Sequence, residues 1–132
     1  EIYTLSLHDA LPISTSMIKS AAASTRSHRI TLLATNATKQ SQRLRTLISD
    51  YASDIRIDAP DTRAWARMID QGLAGDIALD EVLASVAGGS DVIILGCTHY
   101  LALEKRLQSL FPHCRILEPT ASIAKQISDF AI

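Results

Sequence analysis

Cys97, Thr98 and His99 stand directly after Gly96 in the run Val92-Ile93-Ile94-Leu95-Gly96-Cys97-Thr98-His99-Tyr100. A thiol, a hydroxyl and an imidazole at the end of a buried apolar strand form a set suited to moving protons. A thiolate acts as base or nucleophile, and an imidazole two residues on holds, relays or returns a proton. Free backbone N–H groups where a helix begins favour an anion there, either a substrate carboxylate or the thiolate itself. Gly96 lets the chain turn with no Cβ in the way. A plainer reading stands beside this one: a cysteine after a buried strand packs as a small hydrophobe, and the histidine caps or packs. Thr35 and Thr38, in Thr35-Asn36-Ala37-Thr38, offer small polar groups after an earlier strand, as helix caps or as ligand contacts.

Other chemistries fit less well. Cys97, His99, His113 and Cys114 lack the C-x-x-C or H-x-x-x-H spacing that presents two ligands to one zinc, so no metal is expected. Gly96-Cys97-Thr98 lacks the second glycine of a hydrolase nucleophile elbow. Cys114, beside His113, reads as an unreactive thiol ahead of an inner strand. The net charge of −1 comes from interspersed acids and bases, which argues against nucleic acid or a membrane surface as partner. Two cysteines are too few for a disulfide framework, and no apolar run approaches a bilayer span, so a reducing, cytoplasmic setting is expected.

The elements that must position these residues alternate. The 132 residues, 47% of them hydrophobic and 20% charged, suffice for one α/β domain with its own core. Residues 1–13, EIYTLSLHDALPI, have no initiating methionine and no basic segment, and carry Asp9 within their apolar part. They read as a translated sequencing-adapter fragment and are set aside as a non-native leader, the natural protein being expected to continue upstream. Residues 14–28 form a short helix or connector.

Strands are predicted at Ile30–Ala34, Ile55–Ile57, Val92–Leu95 and Arg115–Leu117. Apolar stripes predict helices through Leu44, Leu47, Ile48 and Tyr51; through Trp65, Met68 and Ile69, capped by Asp61 or Thr62; and through Leu79, Val82, Leu83 and Val86. Further stripes run through Leu103, Leu107, Leu110 and Phe111, then Ile123, Ile127 and Phe130. Such alternation predicts an open, mostly parallel sheet with helices on both faces. Ligands of such sheets gather beyond the carboxyl ends of the strands, where both Thr35–Thr38 and Gly96–His99 fall.

Leu95-Gly96-Cys97-Thr98-His99-Tyr100 resembles the second-cysteine motif of glutamate racemases, members of the Asp/Glu racemase family. These are cofactor-independent enzymes that supply D-glutamate for peptidoglycan, and hence for cell-wall biogenesis and cell shape. The likeness runs from about Ser14 to Ile132: IKSAAASTRSHRITLLATNAT is similar to the family's interdomain segment and substrate loop, and ILEPTASIAKQI to the strand and helix that return toward the first domain. The histidine is a specific mark, since the related aspartate racemases usually carry an acidic residue in its place.

The resemblance implies roles. Inverting an α-carbon without a cofactor needs one group to remove the proton from one face and another to return a proton on the other. Cys97 is then one of two thiols, His99 its helper, and Thr98, Thr35 and Thr38 contacts to the amino acid. Asp70 stands where the family generally has a glutamate that assists catalysis, with a reach shorter by roughly 1.5 Å; an exposed helix carboxylate is its plainer reading. Leu101 replaces a usual proline and Ala59 a common cysteine.

No second cysteine motif precedes Thr35. The resemblance therefore implies a carboxyl-terminal half: residues 29–112 as the carboxyl-terminal racemase domain, and 113–132 as a strand and helix that pack on a missing amino-terminal domain. That half alone is expected to be inactive, with Ile123, Ile127 and Phe130 partly uncovered. Expected partners are glutamate and the missing domain, with a homodimer left open. The alternatives are a non-enzymatic α/β module that binds a small carboxylate, or a cysteine-dependent hydrolase or redox sensor.

Overall fold

A computed structural model describes residues 13–119. Helix α1 (Thr15–Ser24) opens on Ser14, whose hydroxyl accepts from the Met17 N–H at 3.2 Å. There follow β1 (Arg29–Leu33), the single turn α2 (Asn36–Lys39), α3 (Gln42–Tyr51), β2 (Arg56–Asp58), α4 (Trp65–Asp70), α5 (Asp80–Ala87), β3 (Val92–Leu95), α6 (Glu104–Leu110) and β4 (Arg115–Leu117). Two 3-10 helices, Ala74–Asp76 and Thr98–Leu103, lie between α4 and α5 and between β3 and α6. The four described strands are parallel, in the order β2-β1-β3-β4.

Side chains alternate across a strand, and here the alternation divides the core in two. Ile30, Leu32, Val92 and Ile94 point to one face, where Met17, Ile18 and Ala21 of α1 and Leu44 and Leu47 of α3 cover them. Leu33, Ile93 and Leu95 point to the other, under Trp65, Val82, Tyr100, Leu103 and Leu107. The expected open parallel sheet with helices on both faces is therefore what forms, and β3, buried at every position, is its centre.

Several expectations shift. β1 begins and ends one residue earlier than the apolar run, and β2 one residue later. Tyr51 is exposed, with Lys19 Nζ 5.3 Å from its ring centroid. Leu83 lies on the outer flank of its stripe and is exposed. Leu110 is exposed because Leu103 belongs to a 3-10 helix: the α-helical phase starts afresh at Glu104 and is set by Leu107. Neither Asp61 nor Thr62 caps α4, which starts from Ala64 with no side-chain cap. Asp61 instead turns to Arg63, 2.9 Å from its guanidinium.

β4, read as an inner strand, is an edge of the described sheet. Ile13, placed in the leader, packs with Met17 and Ile18 in the core. The leader up to Pro12 and the closing stripe of Ile123, Ile127 and Phe130 lie outside the described residues.

Candidate active site

β1 is flanked by β2 on one side and β3 on the other, so the chain reverses its direction of winding between β1 and β3. Beyond the carboxyl ends of such a pair the connecting loops diverge and leave a crevice. The backbone closes tightly just below it, where Gly96 N–H donates to Leu33 C=O at 2.7 Å. A Cβ on Gly96 would lie 3.0 Å from that carbonyl oxygen and 3.1 Å from both Ala34 Cβ and Ile13 Cδ1. Crowding between strand ends therefore demands glycine here; the left-handed glycines are Gly72 and Gly89.

From this point the chain presents Cys97, half-buried, and then winds into the 3-10 helix that carries His99. Cys97 Sγ lies 3.8 Å from His99 Nδ1, and His99 Nε2 lies 3.2 Å from Asp70 Oδ1. Thiol, imidazole and carboxylate thus form a line, with the exposed carboxylate outermost. Asp70 is brought there because α4 ends on it: Gly72 takes a left-handed turn (φ 77°) and Leu73 N–H closes back on Met68 C=O at 2.8 Å. The shorter side chain still reaches the imidazole.

Across the crevice, Thr35 caps α2. Its Oγ1 accepts from the Thr38 N–H at 3.3 Å and lies 3.2 Å from the Thr38 hydroxyl. Both threonines are half-buried, as is Thr98, the first residue of the 3-10 helix. A cavity of about 220 Å3 adjoins this loop, lined by Ile13, Ala37, Thr38, Ser41, Arg43, Leu44 and Leu47. It shares Thr38 with the candidate residues but does not include Cys97, His99 or Asp70.

Two residues not singled out for chemistry tie these loops together. Thr62 is buried and donates to Ala34 C=O at 2.7 Å, and Tyr100, also buried, donates to Thr62 Oγ1 at 2.9 Å. Burial raises the Tyr100 phenol above its ordinary pKa; the Thr62 hydrogen bond opposes this and the neighbouring Cys97 charge adds to it. Lys39 Nζ donates to Pro60 C=O at 2.5 Å. The only sequence signal for Thr62 was its polarity beside a helix start, which suggested a cap.

Cys114 sits at the other end of the sheet, its Sγ 3.6 Å from the Ser90 carbonyl ahead of β3. Burial raises its thiol pKa, with a smaller push from the charge of Asp91, in keeping with an inert thiol. Cys97 and Cys114 therefore flank opposite ends of β3 and share no ligand. Among the described residues no group of three or more His, Cys, Asp or Glu side chains is placed to hold a metal ion.

Residues 10–127 match the family model described as Asp/Glu/Hydantoin racemase. The chain belongs to this family. Among curated relatives, a glutamate racemase of Pseudomonas putida is 34% identical over 116 residues, covering 83% of the chain and 44% of the relative. One of Pseudomonas aeruginosa is 33% identical over 119 residues, with the same coverage. The chain thus spans less than half the length of these relatives. Among solved structures, Escherichia coli glutamate racemase in complex with L-glutamate and the activator UDP-MurNAc-ala has a TM-score of 0.67 and 27% identity, covering 84% of this chain and 45% of its own. Glutamate racemase RacE1 of Bacillus anthracis has a TM-score of 0.62 at 19% identity, covering 96% and 53%, a likeness of fold.

Proposed function

We propose that this chain forms one half of a cofactor-independent glutamate racemase and supplies one of its two proton-transfer groups. The observation that carries this reading is the Cys97–His99–Asp70 line beside the switch point of the sheet, at 3.8 and 3.2 Å. With a carboxylate facing Nε2, the imidazole is favoured in the tautomer that is protonated there, and Nδ1 turns its lone pair toward Sγ. His99 takes the thiol proton and Cys97 becomes the base. The thiolate then removes the α-proton from one face of glutamate, becoming a thiol and leaving a carbanion. A second acid, supplied by the amino-terminal half, returns a proton to the opposite face and becomes the new base. The reverse reaction uses the same groups in exchanged roles.

Thr35, Thr38 and Thr98 hold the amino acid through their hydroxyls and the N–H groups around them. The chain alone has one face of this machinery and does not racemise glutamate. Work in peptidoglycan synthesis, and a cytoplasmic site of action, follow from the family reading.

The test joins this chain to an amino-terminal racemase domain and follows exchange of the α-proton with solvent deuterium. Cys97→Ser is expected to suppress exchange from one glutamate enantiomer much more than from the other. Equal and undiminished exchange from both removes Cys97 from the chemistry and leaves a carboxylate-binding module. A stable acyl adduct on Cys97 points to a hydrolase instead.

A further inference from the structure

The crevice needs its two walls at a fixed separation, yet the walls come from sequence segments about sixty residues apart, 35–38 and 97–99. What joins them above the sheet is a buried chain of three groups: the Tyr100 phenol donates to Thr62 Oγ1 at 2.9 Å, and the Thr62 hydroxyl donates to Ala34 C=O at 2.7 Å. Ala34 immediately precedes the Thr35 cap, and Tyr100 is the residue after His99. Thr62 itself lies on a third loop, between β2 and α4, and α4 ends on Asp70. The Thr62 hydroxyl therefore touches both the threonine wall and the thiol wall, and the Thr62 C=O accepts from the Trp65 N–H at the root of α4 at 3.0 Å.

The rest of the surroundings fit a rigid spacer. Trp65 meets Tyr100 edge to face, with centroids 5.5 Å apart and planes at 67°, which fixes the phenol ring from the α4 side. The Tyr100 N–H donates to Cys97 C=O at 3.0 Å, so the ring and the thiol share one turn of backbone. Among the described residues no other side-chain hydrogen bond of Thr62 or Tyr100 competes with this chain, and a buried phenol or hydroxyl left unpaired is costly, which keeps the chain closed.

We propose that Thr62 and Tyr100 are positioning residues that set the distance of Cys97 Sγ from His99 through a hydroxyl bridge to the end of β1. This rests on the reading of Cys97 as a thiol activated by His99, but not on glutamate as its substrate. Loss of the bridge frees the 3-10 turn, lets Sγ drift from Nδ1, and slows every reaction of the thiolate.

The experiment uses this chain and iodoacetamide at pH 7, with alkylation of Cys97 followed by peptide mass. Tyr100→Phe and Thr62→Val, each of which removes a hydroxyl while keeping shape, are expected to slow alkylation at least about fivefold, the factor that one ordinary hydrogen bond is worth. Thr62→Ser, which keeps the hydroxyl, restores a rate within about twofold of the parent. Thr31→Val serves as control, because Thr31 is an equally buried hydroxyl, bonded to Ser85 and Ser90 at 2.7 Å each, on the α5 side of the sheet. It should lower thermal stability and leave alkylation unchanged.

If Tyr100→Phe and Thr62→Val lower the melting temperature as Thr31→Val does yet alkylate at the parent rate, the bridge is packing only and the proposal is overturned. Should Thr62→Val not fold, the contrast between Tyr100→Phe and Thr62→Ser decides alone. A wrong substrate would show in the deuterium exchange described above and leave this result standing.

Discussion

Asp70 is two-thirds exposed while His99 is one-third exposed, and this difference fixes how much the pair is worth. An exposed ion pair contributes about 0–1 kcal/mol, so Asp70→Asn is expected to slow Cys97-dependent α-proton exchange by about fivefold, and Asp70→Glu to leave it nearly unchanged. His99 stands between carboxylate and thiol, and a group that transfers the proton itself is worth about a hundredfold or more. His99→Asn should therefore lose far more than Asp70→Asn, in the same exchange measurement. Equal losses would mean that the imidazole accepts the thiol proton only while the carboxylate holds it.

The strand β3 and the turn after it depend on one missing Cβ. Gly96→Ala places a methyl group 3.0 Å from the Leu33 carbonyl, a backbone atom that cannot move without breaking the sheet. Overpacking of this kind costs about 1–3 kcal/mol, and a lower urea midpoint with an unchanged slope is the expected outcome. Gly88→Ala contrasts with it: the Arg29 guanidinium that its Cβ would meet is the end of a flexible side chain that bonds to Gly88 C=O, so the guanidinium swings aside. A midpoint for Gly88→Ala as low as that for Gly96→Ala would show that side-chain freedom does not decide the matter.

Across the whole molecule, carboxylates bind the half of the sheet away from the crevice. Burial works to raise the pKa of Asp91, but hydrogen bonds from the Thr25 hydroxyl and from the Arg26 and Ser27 N–H groups outweigh it and hold the pKa below the ordinary range. At Asp58 burial likewise works to raise the pKa, and hydrogen bonds from Ser85, Arg29 and Arg56 overcome it and hold the pKa below the ordinary range. Because both native pKa values lie below the unfolded value of about 3.9, the stability they confer is fully present above that pH and is lost as pH falls through the native values. Melting temperature should accordingly drop below about pH 4, and Asp91→Asn or Asp58→Asn should lower it at neutral pH while flattening the acid limb. An acid limb of unchanged steepness in both variants would assign it to other carboxylates.

The order of strands and helices, the burial of Val92–Leu95 and the place of Cys97 at a strand end were legible in the sequence, because apolar period and glycine position depend on neighbours a few residues away. The family signature in Gly96–Tyr100 was legible for the same reason: its residues are contiguous. The phase of the helix after the 3-10 turn was not, since a change of winding leaves the residue pattern unaltered. Nor could spacing reveal that Asp70 meets His99 or that Thr62 leaves the helix start for Ala34. Those contacts join segments about thirty residues apart, and only the stacking of α4 beside the ends of β1 and β3 brings their polar atoms within hydrogen-bonding or ion-pair distance. Local chemistry named the reacting groups; the tertiary fold chose their partners, because a hydrogen bond is decided by distance in space.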